Sequence, residues 1–404
     1  MTNSIQLKGP ALYFLGGVLL SSHAFAQNTR DAAIQIGESG FTPSVRIDYG
    51  QNDNALRRDQ NELDETFVVV KPELLWSADK GVTFVTARYT GDFKASDQDE
   101  LNYTDSVFAG SISTIFSKRS RGSAEIRLSF DHFDLGQDVF TRFDPSAFDQ
   151  VEFTRQRIGA QHVFGAAQAK GQIITGLTID NLDYSNNDAV TRNSSRLVIS
   201  PSVAFSYRVS GDTRSFIALA LSEVDRAADG RDRTDIDISV GANWKISGRT
   251  SGSASLGIDR AALDGAEDRT ELSARLGIKY EPRSFSRFDL DFERGFFNDG
   301  SGTLTEAAII NELDINWRYD WSSRVFHQAS FGFESVERTC PDVGDQTIDF
   351  RLELGIQVRR WLAFGLGGAV EQRENDSCSG MLANQIDAPD YDRQEAFAFV
   401  RFNL

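Results

Sequence analysis

Charged side chains recur at every second position along many segments of this chain. Glu312, Asp314 and Arg318, for example, alternate with Leu313 and Ile315. Successive side chains of a β-strand point to opposite faces, so such a segment presents a row of carboxylates and guanidiniums on one face. Rows of both signs suit contact with water and polar solutes. The residues predicted to lie on this charged face are Arg46, Asp48, Lys71, Glu73, Arg88, Asp92, Glu271, Arg275, Lys279, Arg287, Asp289, Asp291, Glu312, Asp314, Arg318, Asp349, Arg351 and Glu353.

The residues that usually carry catalysis or bind metals form no recognisable motif. His132, His162 and His327 stand outside any metal-ligand spacing, and there is no C-x-x-C pair. We therefore predict that the protein is not an enzyme and uses no cofactor or metal. Acidic runs at 225–237 and 264–268 could hold Ca²⁺, but without ordered ligand spacing we interpret them as solvated loops. A formal charge of −17 argues against nucleic acid as a partner.

The alternating segments are long, similar in length and spread over nearly the whole chain. Connections between them are alternately short and long, as in outer-membrane barrels with short periplasmic turns and longer extracellular loops. A soluble β-sandwich also alternates, but its strands are less uniformly long. The predicted strands are 42–50, 65–77, 82–93, 102–116, 123–134, 150–164, 171–183, 195–209, 214–225, 234–246, 250–260, 269–280, 285–296, 304–320, 324–337, 347–358, 361–373 and 391–404.

The last predicted strand runs to the final residue of the chain. Its apolar face ends in Val400, Phe402 and Leu404, and the stretch resembles the C-terminal assembly signal of bacterial outer-membrane barrels. Termini fray unless they are paired, and in a closed barrel the last strand pairs with the first. We therefore predict an all-β fold, a closed antiparallel transmembrane β-barrel of about eighteen strands at 42–404. Pro72 and Pro201 fall inside predicted strands, and we expect β-bulges there.

Barrels of this size leave an aqueous channel, so the fold and the charged inner face together predict a passive pore for polar cargo. We predict that the eighteen charged residues named above line this pore. A barrel plugged by its own loops, serving a structural or adhesive role, is the alternative. One sequence does not decide between them.

The first 26 residues have the pattern of a secretory signal peptide. Lys8 precedes a short apolar core at 11–20, and Ala24 and Ala26 form an A-x-A cleavage site. Residues 27–41 are predicted to be a short periplasmic segment. The expected location is the outer membrane of a Gram-negative bacterium. The expected partners are outer-membrane lipid, lipopolysaccharide and, during insertion, the barrel-assembly machinery.

The chain contains two cysteines, Cys340 and Cys378. They fall in the long connections after the fifteenth and seventeenth predicted strands, which lie side by side at the extracellular rim. Export passes the chain through an oxidising compartment, so we predict a disulfide between them. Two unpaired thiols are the alternative.

The leader, the charged strand at 285–296 and the ending from Phe397 to Phe402 resemble the outer-membrane beta-barrel porin 2 family, found beside polysaccharide-export genes in proteobacteria. The resemblance covers nearly the whole chain after the leader. It implies export of an exopolysaccharide or capsule polymer, with a separate periplasmic polysaccharide-export protein as partner. The residues themselves leave open a general or substrate-specific diffusion porin for small polar solutes.

Overall fold

The computed structural model describes residues 34–136, 149–187, 191, 194–227, 232–246, 248–263, 268–297, 308–337, 344–375 and 390–403. A single 3₁₀ turn, Asp99–Leu101, lies between β4 and β5. The strands are β1 (Ile34–Ile36), β2 (Ser39–Asn52), β3 (Glu65–Asp79), β4 (Thr83–Ser96), β5 (Tyr103–Ser117), β6 (Ser120–Phe133), β7 (Val151–Phe164), β8 (Gly171–Tyr184), β9 (Arg196–Ser210), β10 (Thr213–Arg226), β11 (Arg233–Ile246), β12 (Thr250–Leu263), β13 (Arg269–Arg283), β14 (Ser286–Phe297), β15 (Ala308–Asp320), β16 (Val325–Glu337), β17 (Gly344–Arg359), β18 (Leu362–Asn375) and β19 (Tyr391–Asn403).

Each strand from β2 to β19 pairs antiparallel with the next, and β19 pairs with β2. In that closing pair Val400 faces Ile47 and Phe402 faces Val45. Eighteen strands therefore form a closed ring, which confirms the predicted barrel. The three residues of β1 add a small arm that pairs with the start of β2. No helix among the described residues is long and apolar enough to cross a membrane.

The two prolines inside strands do not cause bulges, so that prediction is wrong. Pro72 pairs with Val45 of β2 and Pro201 pairs with Leu177 of β8, each in an unbroken register. On the other side of each proline the ladder skips two residue pairs and resumes in the same register. A proline lacks the N–H that the ladder needs, and here the strand simply omits those bonds without inserting an extra residue.

The outer face of the barrel is apolar and exposed, a pattern typical of membrane-spanning barrels. Large aliphatic side chains stand on it, such as Leu256 at 68% exposure and Leu366 at 67%. Aromatic rings cluster near the short β15–β16 turn. There, Trp321 donates a hydrogen bond to His327 Nδ1 at 2.9 Å, and the Trp317 ring lies 4.4 Å from the His327 ring. This cluster resembles part of an interfacial aromatic girdle.

The inner face is not uniformly polar. Near the short-turn ends of β7 to β10, Val163, Ile174, Ala204 and Ala218 form a buried apolar cluster inside the barrel, with Phe216 packed against it. Apolar residues on both faces explain why two of these strands, β7 and β10, alternate poorly in sequence.

Candidate pore and its constriction

The loop between β2 and β3, residues 53–64, folds inward over the barrel mouth. Asn54 is fully buried and its side-chain amide donates to the backbone oxygens of Arg58 at 2.7 Å and Asp392 at 2.9 Å. The backbone N–H of Gln394 in turn donates to the Asp53 carboxylate at 2.6 Å. The loop is therefore tied at its base to the start of β19.

A small apolar cluster holds the loop against two neighbouring segments. Ala55 and Leu56 of the loop pack with Leu101 and Leu135, and Leu63 joins from the far end of the loop.

Gly136 fits this contact because it has no side chain. Its φ is 78°, and a Cβ at this position would lie 2.3 Å from the Leu56 carbonyl oxygen. The backbone of loop 53–64 thus lies so close to Gly136 that no residue with a side chain would fit there.

The side chain of Arg57 joins loop 53–64 to two separate parts of the barrel wall. Its guanidinium donates to Glu371 on β18 at 3.1 Å and to Asp134 just after β6 at 3.2 Å. These two strands stand six places apart in the ring of eighteen, so one side chain joins distant parts of the wall.

Burial alone would disfavour the charges of both partners in the loop anchor. It acts to lower the pKa of Arg57 and to raise that of Asp134. The attraction of Glu371 and Asp134 outweighs this and raises the Arg57 pKa above its usual range. Arg57 and His132 likewise hold the Asp134 pKa well below its usual range. Both groups therefore stay charged.

From this anchor a ladder of alternating charges follows the inner wall. Tyr391 donates to Glu371, and the same carboxylate accepts from Arg393 at 3.0 Å. Because each charge has an opposite neighbour, the charges of the ladder nearly neutralise one another. Its further pairs are Arg393–Glu395 at 3.3 Å, Arg351–Glu395 at 3.5 Å, Arg351–Glu353 at 3.1 Å, Arg46–Glu353 at 2.9 Å, Arg46–Asp48 at 2.6 Å, Lys71–Asp48 at 3.6 Å and Lys71–Asp92 at 3.3 Å.

Two phenylalanines of β19 lie beneath this ladder, on the inner face. The Phe399 ring sits over Gly365 and the Phe397 ring over Gly367, where a Cβ would lie 2.2 Å from the ring in each case. The guanidinium of Arg46 stacks 4.2 Å above Phe399, and that of Arg351 stacks 4.0 Å above Phe397. Rings that fill glycine gaps fix the register of a sheet, and here they also support the arginines.

Beyond the ladder, directly opposed pairs of like charge lie on two different parts of the inner wall, basic pairs on one and acidic pairs on the other. On β6 to β10 the inner face carries Arg127 directly opposite Arg157, and Arg196 directly opposite Arg226. We call β6–β10 the basic arc.

On β14 to β16 the inner face carries three directly opposed acidic pairs, and we call these strands the acidic arc. β15 stands seven places from β8 in the ring of eighteen, so the two arcs nearly face each other. The acidic pairs are Asp291–Asp314, Glu293–Glu312 and Glu312–Glu334.

All eighteen residues predicted to line the pore fall on the inner face in the observed register. Several pair with one another or with neighbours there, while their part in conduction remains a prediction. Besides the ladder, the pairs are Arg88–Glu73, Arg275–Glu293 at 3.1 Å, Arg287–Asp289 at 2.8 Å and Arg318–Asp320 at 2.9 Å.

Sequence reasoning missed the residues that shape the mouth. Arg57 lies in an ordinary polar loop, and nothing local marks it as an inward anchor. The arginines of β6 and β7 had a signal, because Arg127, Arg155 and Arg157 share the inner parity of their strands. The weak alternation of β7 obscured it.

Asp105, Asp131 and His132 place three potential metal ligands within 4.8 Å of one another. His132 Nδ1 lies 2.9 Å from Asp105, and Nε2 lies 3.2 Å from Asp134. Both ring nitrogens therefore face carboxylates, which fits a doubly protonated imidazolium better than a metal ligand.

Several predictions fall outside the described residues. These are the signal peptide, the Cys340–Cys378 disulfide, Leu404 at the chain end and most of the acidic run at 264–268.

No family model matches the chain, and no curated protein matches it in sequence. The resemblance to the beta-barrel porin 2 family therefore stays an expectation. Solved structures of outer-membrane β-barrels do resemble the chain. OccAB4 of Acinetobacter baumannii shares 10% identity over 92% of this chain and 99% of its own, with a TM-score of 0.44.

Two other solved structures give similar values. OccK2 (OpdF) of Pseudomonas aeruginosa shares 12% identity over 91% of this chain and 98% of its own, with a TM-score of 0.46. The FrpB iron transporter of Neisseria meningitidis shares 9% identity over 94% and 83%, with a TM-score of 0.46. Such identities assign neither a family nor a cargo, so the function must follow from the residues of this chain.

Proposed function

We propose that the protein is an outer-membrane diffusion pore for small polar solutes, narrowed at its mouth by loop 53–64. The tie of Arg57 to Asp134 and Glu371 is the observation that carries this proposal. A loop held across the mouth by the ion pairs of the buried Arg57 restricts the size of the solutes that pass. A barrel of eighteen strands with a charged inner face otherwise leaves room for water.

Export of an exopolysaccharide or capsule polymer rests on the family resemblance alone. A polymer chain needs a wide, continuous path, and a fixed loop across the mouth favours smaller cargo. The periplasmic export partner likewise rests on that resemblance alone. Small-solute diffusion is therefore the preferred function.

Two measurements test the proposal. The purified barrel, reconstituted in planar bilayers, should give stepwise ion conductance. In liposome-swelling assays, monosaccharides should enter faster than larger oligosaccharides. Absence of conductance would favour the plugged barrel. Normal uptake but lost surface polysaccharide in a deletion strain would favour polymer export.

A further inference from the structure

The basic arc contains a group of arginines with little to neutralise them. We name Arg127, Arg155, Arg157 and Arg196 the arginine cluster. Arg127 pairs directly with Arg157 across β6 and β7, and Leu182 alone separates Arg155 from Arg196 in the register. Directly opposed side chains have Cβ atoms roughly 5 Å apart. The four guanidiniums therefore gather on one patch of the inner wall.

One carboxylate of the inner wall pairs with this cluster. Asp180 accepts from Arg155 Nε at 2.9 Å and from Arg155 Nη2 at 2.5 Å. Asp131, further along β6, faces Asp105 and His132 instead. Among the described residues, Arg127, Arg157 and Arg196 make no ion pair. Asp131 attracts Arg127 without forming an ion pair with it. The cluster thus keeps a net positive charge, because Asp180 is its one ion-paired carboxylate among the described residues.

Unused hydrogen-bonding capacity accompanies this excess charge. Arg157 Nε and Arg196 Nη1 are buried atoms without a hydrogen-bond partner in the described part of the chain. Opposed like charges destabilise a sheet, and buried donors without partners cost free energy. An anion between these side chains would relieve both costs at once.

We propose that the arginine cluster is a binding subsite for small oxyanions, that is, solutes bearing phosphate or carboxylate groups. The inference rests on the proposed function and specifies the cargo class of that pore. A guanidinium offers two parallel N–H donors that match the oxygens of phosphate or carboxylate. Several guanidiniums around one point favour a multivalent anion over chloride.

The test uses inorganic phosphate as the probe and the full barrel in two assays. Isothermal titration on the detergent-solubilised barrel measures binding without any need for conduction. In planar bilayers, added phosphate should reduce the chloride current in a saturable way. Arg157→Gln should weaken phosphate binding about tenfold in both assays, as loss of one charge-assisted pair does.

Three further variants sharpen the test. Arg157→Lys keeps the charge but loses the fork, so it should fall between the wild type and Arg157→Gln. Asp180→Asn frees Arg155 and should tighten phosphate binding. Lys245→Gln removes one positive charge from the inner face of β11, near the strand end that leads to β12 and two strands from the cluster. Phosphate affinity should therefore stay within about twofold of wild type.

The outcomes separate the two proposals. Phosphate binding that Arg157→Gln weakens, in a barrel without conductance, supports the subsite and overturns the pore. Conductance without saturable phosphate binding overturns the subsite and leaves the pore. Equal loss in Arg157→Gln and Lys245→Gln also overturns the subsite, because general electrostatics then accounts for the effect. Heat-modifiable gel migration verifies that each variant is folded.

Discussion

Arg57 holds a backbone conformation that few non-glycine residues adopt. Its φ is 52°, which costs on the order of 1 kcal/mol or more and persists only where other contacts impose it. The two ion pairs at the end of its side chain supply those contacts. The strain and the buried charge both indicate a loop fixed in one position.

Replacing Arg57 should open the mouth without unfolding the barrel. In Arg57→Gln, Glu371 keeps Arg393 and Tyr391, and Asp134 keeps His132. Neither carboxylate is therefore left without a partner. Single-channel conductance in planar bilayers should rise, and larger sugars should enter liposomes faster. The Lys245→Gln control should match wild type in conductance, and an unchanged conductance in Arg57→Gln would remove this loop from the size filter.

The anchor should also set how the mouth responds to acid. The Asp134 pKa is well below its usual range. The stability that Asp134 gives to the anchored loop is therefore fully present above the unfolded pKa of about 4, and it is lost as pH falls through the folded pKa. We expect conductance to stay level from pH 8 to about 4.5 and to rise only in stronger acid. A rise between pH 7 and 5 would point to a different titrating group.

Residue chemistry was predictable where it followed strand parity. Every residue expected on the inner face lies there, because a strand places alternate side chains on alternate faces. Arg57 was not predictable, since its position depends on contacts with Asp134 and Glu371, which lie 77 and 314 residues away in sequence.

At the scale of elements, β18 and β19 form the most closely fitted pair of strands. Phe397 and Phe399 fill the spaces that Gly367 and Gly365 leave open.

Gly367→Ala should destabilise the barrel, because the new Cβ meets the Phe397 ring and the Leu352 backbone. Overpacking of this kind costs about 1–3 kcal/mol. Gly368→Ala is the matched control on the outer face, where the nearest backbone oxygen is 3.3 Å from the new Cβ. The temperature of the heat-modifiable gel shift should fall for Gly367→Ala and change little for Gly368→Ala. Equal shifts would refute the packing argument.

The disulfide between Cys340 and Cys378 remains a prediction. In sequence, Cys340 and Cys378 follow β16 and β18 respectively, and those two strands end on the same side of the barrel. Thiol labelling of the denatured, non-reduced chain should therefore modify no cysteine, and labelling after reduction should modify both. Two labelled thiols without reduction would contradict the disulfide. Reduction should leave the barrel folded, because its hydrogen-bond ladder closes independently.

The number and the approximate bounds of the strands could be predicted from the sequence. Period-two alternation, although weak in β7 and β10, together with the alternately short and long connections located all eighteen barrel strands to within a few residues at the described ends. The bulges predicted at Pro72 and Pro201 failed for a specific reason: a missing N–H interrupts hydrogen bonds, but it does not require an extra residue. A proline in the sequence identifies the missing donor, but the pairing register depends on the neighbouring strands.

For the whole molecule, closure was predictable and the shape of the mouth was not. The alternating pattern of the last predicted strand indicated that it pairs with the first strand of the barrel, and β19 does pair with β2. The inward fold of loop 53–64 depends instead on a small apolar cluster and on Gly136. These contacts join segments with no shared sequence pattern.

The two charged arcs lead to a prediction that involves the entire lumen. Arginines on β6–β10 nearly face carboxylates on β14–β16, so a transverse field should act on any ion between them. Neutralising the basic arc with Arg127→Gln and Arg157→Gln should shift the reversal potential in a KCl gradient toward cation selectivity. Neutralising the acidic arc with Asp291→Asn and Asp314→Asn should shift it toward anions.

Both shifts should shrink as salt increases, because the screening length falls from about 10 Å at 0.1 M to about 3 Å at 1 M. The four substitutions combined should return the reversal potential close to that of wild type, since equal charge is removed from opposite walls. Shifts of the same sign in the two double variants would mean that ions pass outside the space between the arcs. Shifts that persist at 1 M salt would indicate direct binding at the substituted side chains, in place of a field that spans the lumen.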